Sequence, residues 1–91
     1  MSGVRRNNPK RDQNEPELVN ALRQIGAVVH RLDEPCDLLV LFRGGTHLLE
    51  VKMRTGRLTP NEKRAIEEAE EAGVTIHVVF TVDDAFRAIG A

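Results

Sequence analysis

The sequence is poor in aromatic residues: it contains three Phe and neither Tyr nor Trp among its 91 residues. With 41% hydrophobic and 30% charged residues it still belongs to the globular class, so we expect an almost wholly aliphatic core. A chain of this length buries only somewhat more than about 60% of its unfolded surface. We therefore expect one marginally stable domain, and a homodimer is an expectation consistent with that marginal stability.

Cysteine and long apolar runs are also scarce. Cys36 is the single cysteine, which excludes an internal disulfide framework. The longest apolar run, residues 38–42, has the length of a strand, whereas a membrane helix needs about 20 residues. No apolar signal-like segment stands at the start of the sequence. These absences predict a cytoplasmic protein that does not enter a membrane.

The formal net charge of −1 conceals an uneven distribution of charge. Residues 1–12 carry four basic residues against one acid, whereas residues 67–71 carry four Glu. Residues 1–13 are polar and lack periodicity, so we expect a basic flexible arm there and a single domain over residues 14–91. The acidic run is typical of a solvated helix face.

Local signals predict the first half of the domain. Asn14 and Glu17 have capping-box spacing, so a helix should begin there and end at Gly26. Residues 27–32, 37–43 and 46–53 resemble strands, and the pair Gly44-Gly45 favours a two-residue hairpin turn between the last two.

The second half begins with a stronger helix signal. Thr59 as N-cap, Pro60 at the first position and Glu62 at the third predict a helix that ends near residue 72. A strand over residues 74–80 and a short helix up to residue 89 should follow. The resulting order αβββαβα predicts an α/β fold with a mixed central sheet flanked by helices, because a crossover helix lets the last strand run parallel.

The two central strands bring charged residues together. If Gly44 and Gly45 form the turn, Asp37 faces Lys52 and Leu39 faces Glu50, and all three charged side chains share one face. Diagonal neighbours lie about 7–8 Å apart, so Asp37 and Glu50 could share one small cation. Unpaired buried charge is unfavourable, so this cluster suggests either a metal-binding site or a structural ion-pair cluster.

The chemistry that fits this cluster is a Mg²⁺ site that acts on a phosphodiester. Mg²⁺ takes hard oxygen ligands, typically one or two carboxylates with waters and substrate phosphate. Asp37 and Glu50 supply the carboxylates, and the backbone carbonyl of Val51 could complete the set. Lys52 could orient the attacking water or stabilise negative charge on the phosphate.

These residues resemble a known family. Asp37 with Glu50-Val51-Lys52 is similar to the D…ExK core of the PD-(D/E)XK nucleases, and the αβββαβ order agrees. Residues 14–17, 37–40, 49–52 and 56–60 are most similar to the stand-alone VRR-NUC domains of phages. The resemblance covers about residues 12–90. It implies a restriction-endonuclease-like core and a Mg²⁺- or Mn²⁺-dependent, structure-specific DNA endonuclease of a phage or bacterium. Such an enzyme cuts Holliday-junction-like or flap DNA, usually as a homodimer.

The same resemblance implies roles for individual residues. Glu15 matches an additional acidic ligand on the first helix, although acids are also favoured in a first helical turn by the helix dipole. The implied catalytic residues are Asp37, Glu50, Lys52 and Glu15, and the implied metal ligands are Asp37, Glu50, Val51 and Glu15. Two departures stand out: Cys36 separates Pro35 from Asp37, and Glu62 replaces a usual glutamine. Glu62 either caps its helix or adds negative charge near the site.

DNA contacts are expected from basic residues that flank this cluster. They are Arg54, Arg57, Lys63 and Arg64 after the third strand, with Lys10 and Arg11 in the arm. No aromatic side chain is placed to stack on bases, so recognition should depend on the DNA backbone and shape. Two alternatives remain: a non-catalytic nucleic-acid-binding or assembly module on the same scaffold, and a nuclease subunit that needs another protein to select its substrate.

Overall fold

The computed structural model of the protein describes residues 12–91. Its elements are, in chain order, α1 (Glu15–Gln24), β1 (Val28–Arg31), β2 (Leu38–Phe42), β3 (Gly45–Val51), α2 (Pro60–Glu71), β4 (Ile76–Val79) and α3 (Val82–Ile89). The predicted order αβββαβα is therefore confirmed. Of the predicted basic arm, residues 1–11 lie outside the described residues. Asp12 already contacts the domain, because its carboxylate accepts a hydrogen bond from the Met53 N–H.

The four strands form one sheet in the order β1-β2-β3-β4. β1 and β2 are antiparallel, as are β2 and β3, whereas β3 and β4 are parallel. The sheet is therefore mixed, as predicted, with α2 as the crossover between its two parallel strands. β2 and β3 are the central strands, so the residues at their ends lie in the middle of the sheet.

The hairpin turn differs from the prediction by one residue. Phe42 pairs with Gly45, so the turn residues are Arg43 and Gly44 rather than Gly44 and Gly45. Both have positive φ, 49° at Arg43 and 80° at Gly44, as a type I′ turn requires. Leu39 consequently faces Leu48 and not Glu50.

This shift leaves the faces of the strands unchanged. Moving the turn by one residue displaces every cross-strand pair by two positions, and side chains alternate with a period of two. Continuing the ladder beyond the Leu38–Leu49 pair sets Asp37 directly opposite Glu50 instead of Lys52. Asp37 and Glu50 are thus direct neighbours across the strands, and Lys52 still shares their face.

One face of the sheet carries the core. The fully buried strand residues Leu38, Val40, Leu49 and Val51 pack with residues of α1 and α3, including Leu18, Val19, Leu22, Ala85 and Ile89. Each Leu, Val or Ile side chain among them contributes about 1.5–3 kcal/mol when fully buried. Phe42 is the one aromatic residue of this buried cluster, which agrees with the expected aliphatic core. Cys36 is also buried.

The helix starts show where local signals decide the structure. Thr59 with Glu62 and Thr81 with Asp84 both form complete capping boxes at the starts of α2 and α3. The capping box predicted at Asn14 is wrong, because its side chain makes no capping hydrogen bond to α1. Its Nδ2 donates instead to the carbonyl oxygens of Lys52, at 3.2 Å, and of Phe80, at 2.8 Å. Across residues 12–91, none of the helices is both long and apolar enough to cross a membrane.

Candidate active site

The sequence-predicted cluster lies where β2 begins and β3 ends. Asp37 directly precedes β2, and Glu50 and Lys52 flank Val51, the last residue of β3. The Val51 N–H donates to Asp37 Oδ2 at 2.8 Å, which fixes this carboxylate across the end of β3. The Lys52 N–H donates to the Val79 carbonyl at 3.0 Å. The segment that carries Glu50 and Lys52 is therefore held from both neighbouring strands.

Glu50 is buried among other acids. The residue is 3% exposed, and its carboxyl group hydrogen-bonds with those of Asp37 and Glu62. Burial, followed by the charge of Asp37 and the hydrogen bond with Glu62, raises the pKa of Glu50 to about 9. Without a bound cation, Glu50 therefore holds a proton at neutral pH and shares it with its acidic neighbours.

Lys52 is held in the charged state by Glu62. Its Nζ lies 2.8 Å from Glu62 Oε1. Burial lowers the pKa of Lys52, but the hydrogen bond and charge of Glu62, with smaller effects of Asp12 and Glu50, outweigh it and raise that pKa. Lys52 is thus a buried ammonium with one close carboxylate.

Glu62 combines the two roles that its sequence position suggested. Its Oε1 accepts a hydrogen bond from the Thr59 N–H at 2.8 Å, which completes the capping box of α2. Burial raises the pKa of Glu62, but hydrogen bonds with Lys52, the Thr59 backbone and Glu50 outweigh burial and lower that pKa. The site therefore contains three neighbouring carboxyl groups, from Asp37, Glu50 and Glu62, and the ammonium of Lys52.

Glu15 is buried at the start of α1 and lies close to a basic side chain. It is 1% exposed in the first turn of α1, and its Oε2 lies 3.2 Å from Arg31 Nε on β1. Over residues 12–91, no three His, Cys, Asp or Glu side chains are arranged to hold one metal ion together. Asp37 and Glu50 are cross-strand neighbours, and within residues 12–91 Glu15 belongs to no such group of three. The roles of Glu15 and of the Val51 carbonyl as ligands stay predictions.

The chemistry of the remaining pair nevertheless suits a divalent cation. Asp37 and Glu50 are opposed carboxyl groups, which supply the hard oxygens that Mg²⁺ and Mn²⁺ prefer, and Mg²⁺ commonly uses only one or two carboxylates. Besides burial, repulsion from Asp37 raises the pKa of Glu50, and a bound cation would relieve that repulsion. These residues therefore fit a divalent cation, provided that Glu50 loses its proton when the ion binds.

The predicted DNA-contacting residues that the structure describes are all exposed. Arg54 and Arg57 are exposed in the loop between β3 and α2, and Lys63 and Arg64 are exposed on α2. Lys10 and Arg11 lie outside the described residues. A groove of about 580 Å³ lies beside the start of α2, and its lining includes Glu62 and Arg64 together with the acids Asp33, Glu34 and Glu68. Acids outnumber bases in this lining, so a phosphate chain would approach a negative surface.

No protein-family model matches the sequence, and no curated protein matches it. The architecture alone therefore defines the structural class of the protein. It is an α/β domain with a four-stranded mixed sheet and three helices in its described part. A buried acid–lysine cluster lies at the ends of the central strands.

Proposed function

We propose that this protein is a divalent-metal-dependent endonuclease of the PD-(D/E)XK type, similar to stand-alone VRR-NUC domains. It hydrolyses phosphodiester bonds in branched DNA, Holliday-junction-like or flap, and acts as a homodimer. The observation that carries the proposal is the position of Asp37 opposite Glu50, with Lys52 on the same face of the central strands. The αβββαβ order and the mixed sheet support a restriction-endonuclease-like core.

The proposed site divides the chemistry among its side chains. Asp37 and Glu50 would hold Mg²⁺ or Mn²⁺, with the Val51 carbonyl and Glu15 as further proposed donors. When bound, the cation supplies Lewis acidity and makes a bound water more acidic. The Lys52 ammonium stabilises negative charge that develops on the phosphate. The exposed bases that follow β3, and Lys10 and Arg11, bind flanking phosphates without reading bases.

The decisive test is cleavage of a synthetic, end-labelled four-way DNA junction. With Mg²⁺ or Mn²⁺ the purified protein should cut the junction, and Lys52→Met should reduce the rate by about 10²–10³-fold because it removes a charge aimed at the transition state. Cleavage products are resolved on a denaturing gel, and circular dichroism checks that the variant is folded. Flap and plain duplex substrates in the same assay identify the preferred DNA.

Arg43→Asn provides the matched control for that test. It removes the same amount of charge from the turn at the opposite end of β3, about 23 Å away at the usual rise per residue, and should leave cleavage unchanged. A Lys52→Met variant that cuts as well as the parent overturns the mechanism. Sedimentation of the parent should give the mass of a dimer.

A second candidate is a non-catalytic nucleic-acid-binding or assembly module on the same scaffold. The observation that favours it is the Lys52–Glu62 ion pair, which already neutralises the ammonium that a nuclease needs. Such a module would bind junctions equally well with and without divalent ions and would hydrolyse none of them. A nuclease subunit that needs a partner protein would instead show weak, non-specific nicking on its own.

A further inference from the structure

The ion pair between Lys52 and Glu62 joins the end of β3 to the first turn of α2. The two atoms concerned, Lys52 Nζ and Glu62 Oε1, are 2.8 Å apart, and the lysine side chain is only 11% exposed. A phosphodiester oxygen that used this ammonium would need the position that the Glu62 oxygen holds, because little of the lysine side chain is open to solvent. Glu62 and a substrate phosphate are therefore competing anions for one buried cation.

The surroundings of Glu62 allow such an exchange. Its side chain is 27% exposed and lines the groove beside α2, so an anion can reach it from solvent. α2 contains no buried residue, so few packing contacts oppose a small displacement of its first turn. Glu62 is thus placed at an entrance to the site and not inside the core.

We propose that Glu62 is a built-in competitor of the substrate phosphate, a positioning residue that holds Lys52 until an anion displaces its carboxylate. The inference rests on the proposed function and names the regulation of the same site. Glu62 thereby weakens phosphate binding at Lys52, and removing its charge should strengthen it.

The side chain of Glu62 has a second task that the test must preserve. Its Oε1 accepts the capping hydrogen bond from the Thr59 N–H. Glu62→Gln removes the charge but keeps a side-chain oxygen for this bond, so α2 should still begin at Pro60. Glu62→Asp keeps the charge on a shorter side chain, so its affinity for the junction should lie between those of the parent and Glu62→Gln. Thermal unfolding checks that each variant is folded.

Glu71→Gln is the matched control for charge. It removes the same charge from the last residue of the same helix, nine positions from Glu62. That separation is about 14 Å along a helix axis, which exceeds the screening length of about 8 Å at physiological ionic strength. A general change in the field of the protein would therefore appear in both variants, whereas competition at Lys52 would appear only in Glu62→Gln.

The experiment measures binding of a fluorescent four-way junction by anisotropy in EDTA, where no cleavage occurs. Glu62→Gln should bind about threefold more tightly than the parent, the size expected for a partly exposed ion pair, and Glu71→Gln should bind like the parent. In a Lys52→Met background the gain from Glu62→Gln should vanish. With Mg²⁺, Glu62→Gln should lower KM by about the same factor and leave kcat nearly unchanged.

Other outcomes overturn the proposal. An equal gain from Glu71→Gln, or a gain that persists with Lys52→Met, shows a general charge effect. Failure of every variant to bind shows that no phosphate reaches Lys52. Cleavage by the parent with Mg²⁺ reports separately on the proposed function. If Glu62→Gln binds the junction more tightly in a Lys52-dependent way but the parent does not cleave it, the competitor role of Glu62 stands and the endonuclease proposal is rejected. If the parent cleaves the junction but Glu62→Gln binds no more tightly, the endonuclease proposal stands and the competitor role is rejected.

Discussion

Glu50 is buried beside another acid, an arrangement that works against the stability of the fold. Its folded-state pKa of about 9 exceeds the ordinary value of 4.5, so between these values the folded chain binds more protons at this residue than the unfolded chain does. The free energy of unfolding therefore falls as pH rises through this window. At lower pH, Glu50 is protonated in both states and this loss disappears.

Replacing Glu50 by an uncharged residue should stabilise the metal-free protein. We expect Glu50→Gln to raise the free energy of unfolding at pH 8 in EDTA by at least about 1 kcal/mol. This lower bound is smaller than the free energy that corresponds to one pKa unit. Near pH 4 the substitution should have little effect on the free energy of unfolding. Mg²⁺ should raise the melting temperature of the parent but not of the variant. Urea unfolding at both pH values measures the difference, with Glu71→Gln as the exposed control. Equal destabilisation at both pH values would contradict the prediction.

At the scale of single elements, the hairpin turn tests the observed register. Gly44→Ala should cost about 1–2 kcal/mol, because Gly44 has a φ of 80° that an L side chain rarely adopts. Gly45→Ala should cost less: Gly45 lacks a positive φ, and its closest new contact is the movable end of the His47 side chain. Arg43→Asn should stabilise, since Asn-Gly is favoured in type I′ turns. Chemical denaturation ranks the three, and equal losses at both glycines would support the turn expected from sequence.

The cap of α3 gives a second test at this scale. The Asp84 carboxylate accepts hydrogen bonds from the N–H groups of Phe80 and Thr81, at 2.9 and 3.2 Å. These bonds, that of Phe80 above all, lower the pKa of Asp84, although burial opposes them. Asp84→Ala should cost about 1 kcal/mol at pH 7. Because the folded pKa is depressed, this difference should persist above pH 4 and shrink as acid protonates the folded carboxylate.

Asp83→Ala is the control for the cap, since it removes an acid from the same helical turn. It changes the interaction with the helix dipole but none of the capping hydrogen bonds described for Asp84. Thermal unfolding between pH 2.5 and 7 compares the two variants. Equal losses at all pH values would mean that the dipole, and not the hydrogen bonds, stabilises this helix start.

The sequence predicted elements where the signal was local and failed where distant partners decide. Thr59 and Thr81 cap their helices with residues three positions away, so spacing alone located both starts. Asn14 has the same kind of spacing, yet the carbonyls of Lys52 and Phe80, 38 and 66 residues away, take its side chain. The sequence around the glycine pair is compatible with a turn at Gly44-Gly45 or one residue earlier, at Arg43-Gly44. Only the observed pairing of Phe42 with Gly45 distinguishes the two turns.

The site was predictable to the same extent. The shared face of Asp37, Glu50 and Lys52 follows from the period of two, which survives a two-position displacement of the pairs. The ion pair of Lys52 with Glu62 depends on how the intervening loop places α2, which no spacing encodes. The contact of Glu15 with Arg31 likewise requires α1 to lie on β1. The sequence alone therefore could not decide whether Glu15 is a metal ligand or an acid favoured by the helix dipole.

At the scale of the whole molecule, Asn14 joins the start of α1 to the ends of the two parallel strands. Its Nδ2 bonds the carbonyl oxygens of Lys52 and Phe80, the residues that directly follow β3 and β4. The same junction receives the bond from the Met53 N–H to Asp12. The backbone that positions Lys52 is therefore held by a helix distant in sequence, so stability and site geometry are coupled here.

Asn14→Ala should consequently affect both stability and the proposed activity. It leaves two partly buried carbonyl oxygens without this donor, which should cost about 1–3 kcal/mol, whereas Asn20→Ala on the exposed side of α1 should cost much less. Asn14→Asp should cost more than Asn14→Ala, because a carboxylate would then face two carbonyl oxygens. Urea unfolding measures these differences. Junction cleavage well below the melting temperature should fall for Asn14→Ala but not for Asn20→Ala, since only the first releases the backbone of Lys52. Loss of stability without loss of cleavage would show that the Asn14 bonds hold the fold but do not position the lysine.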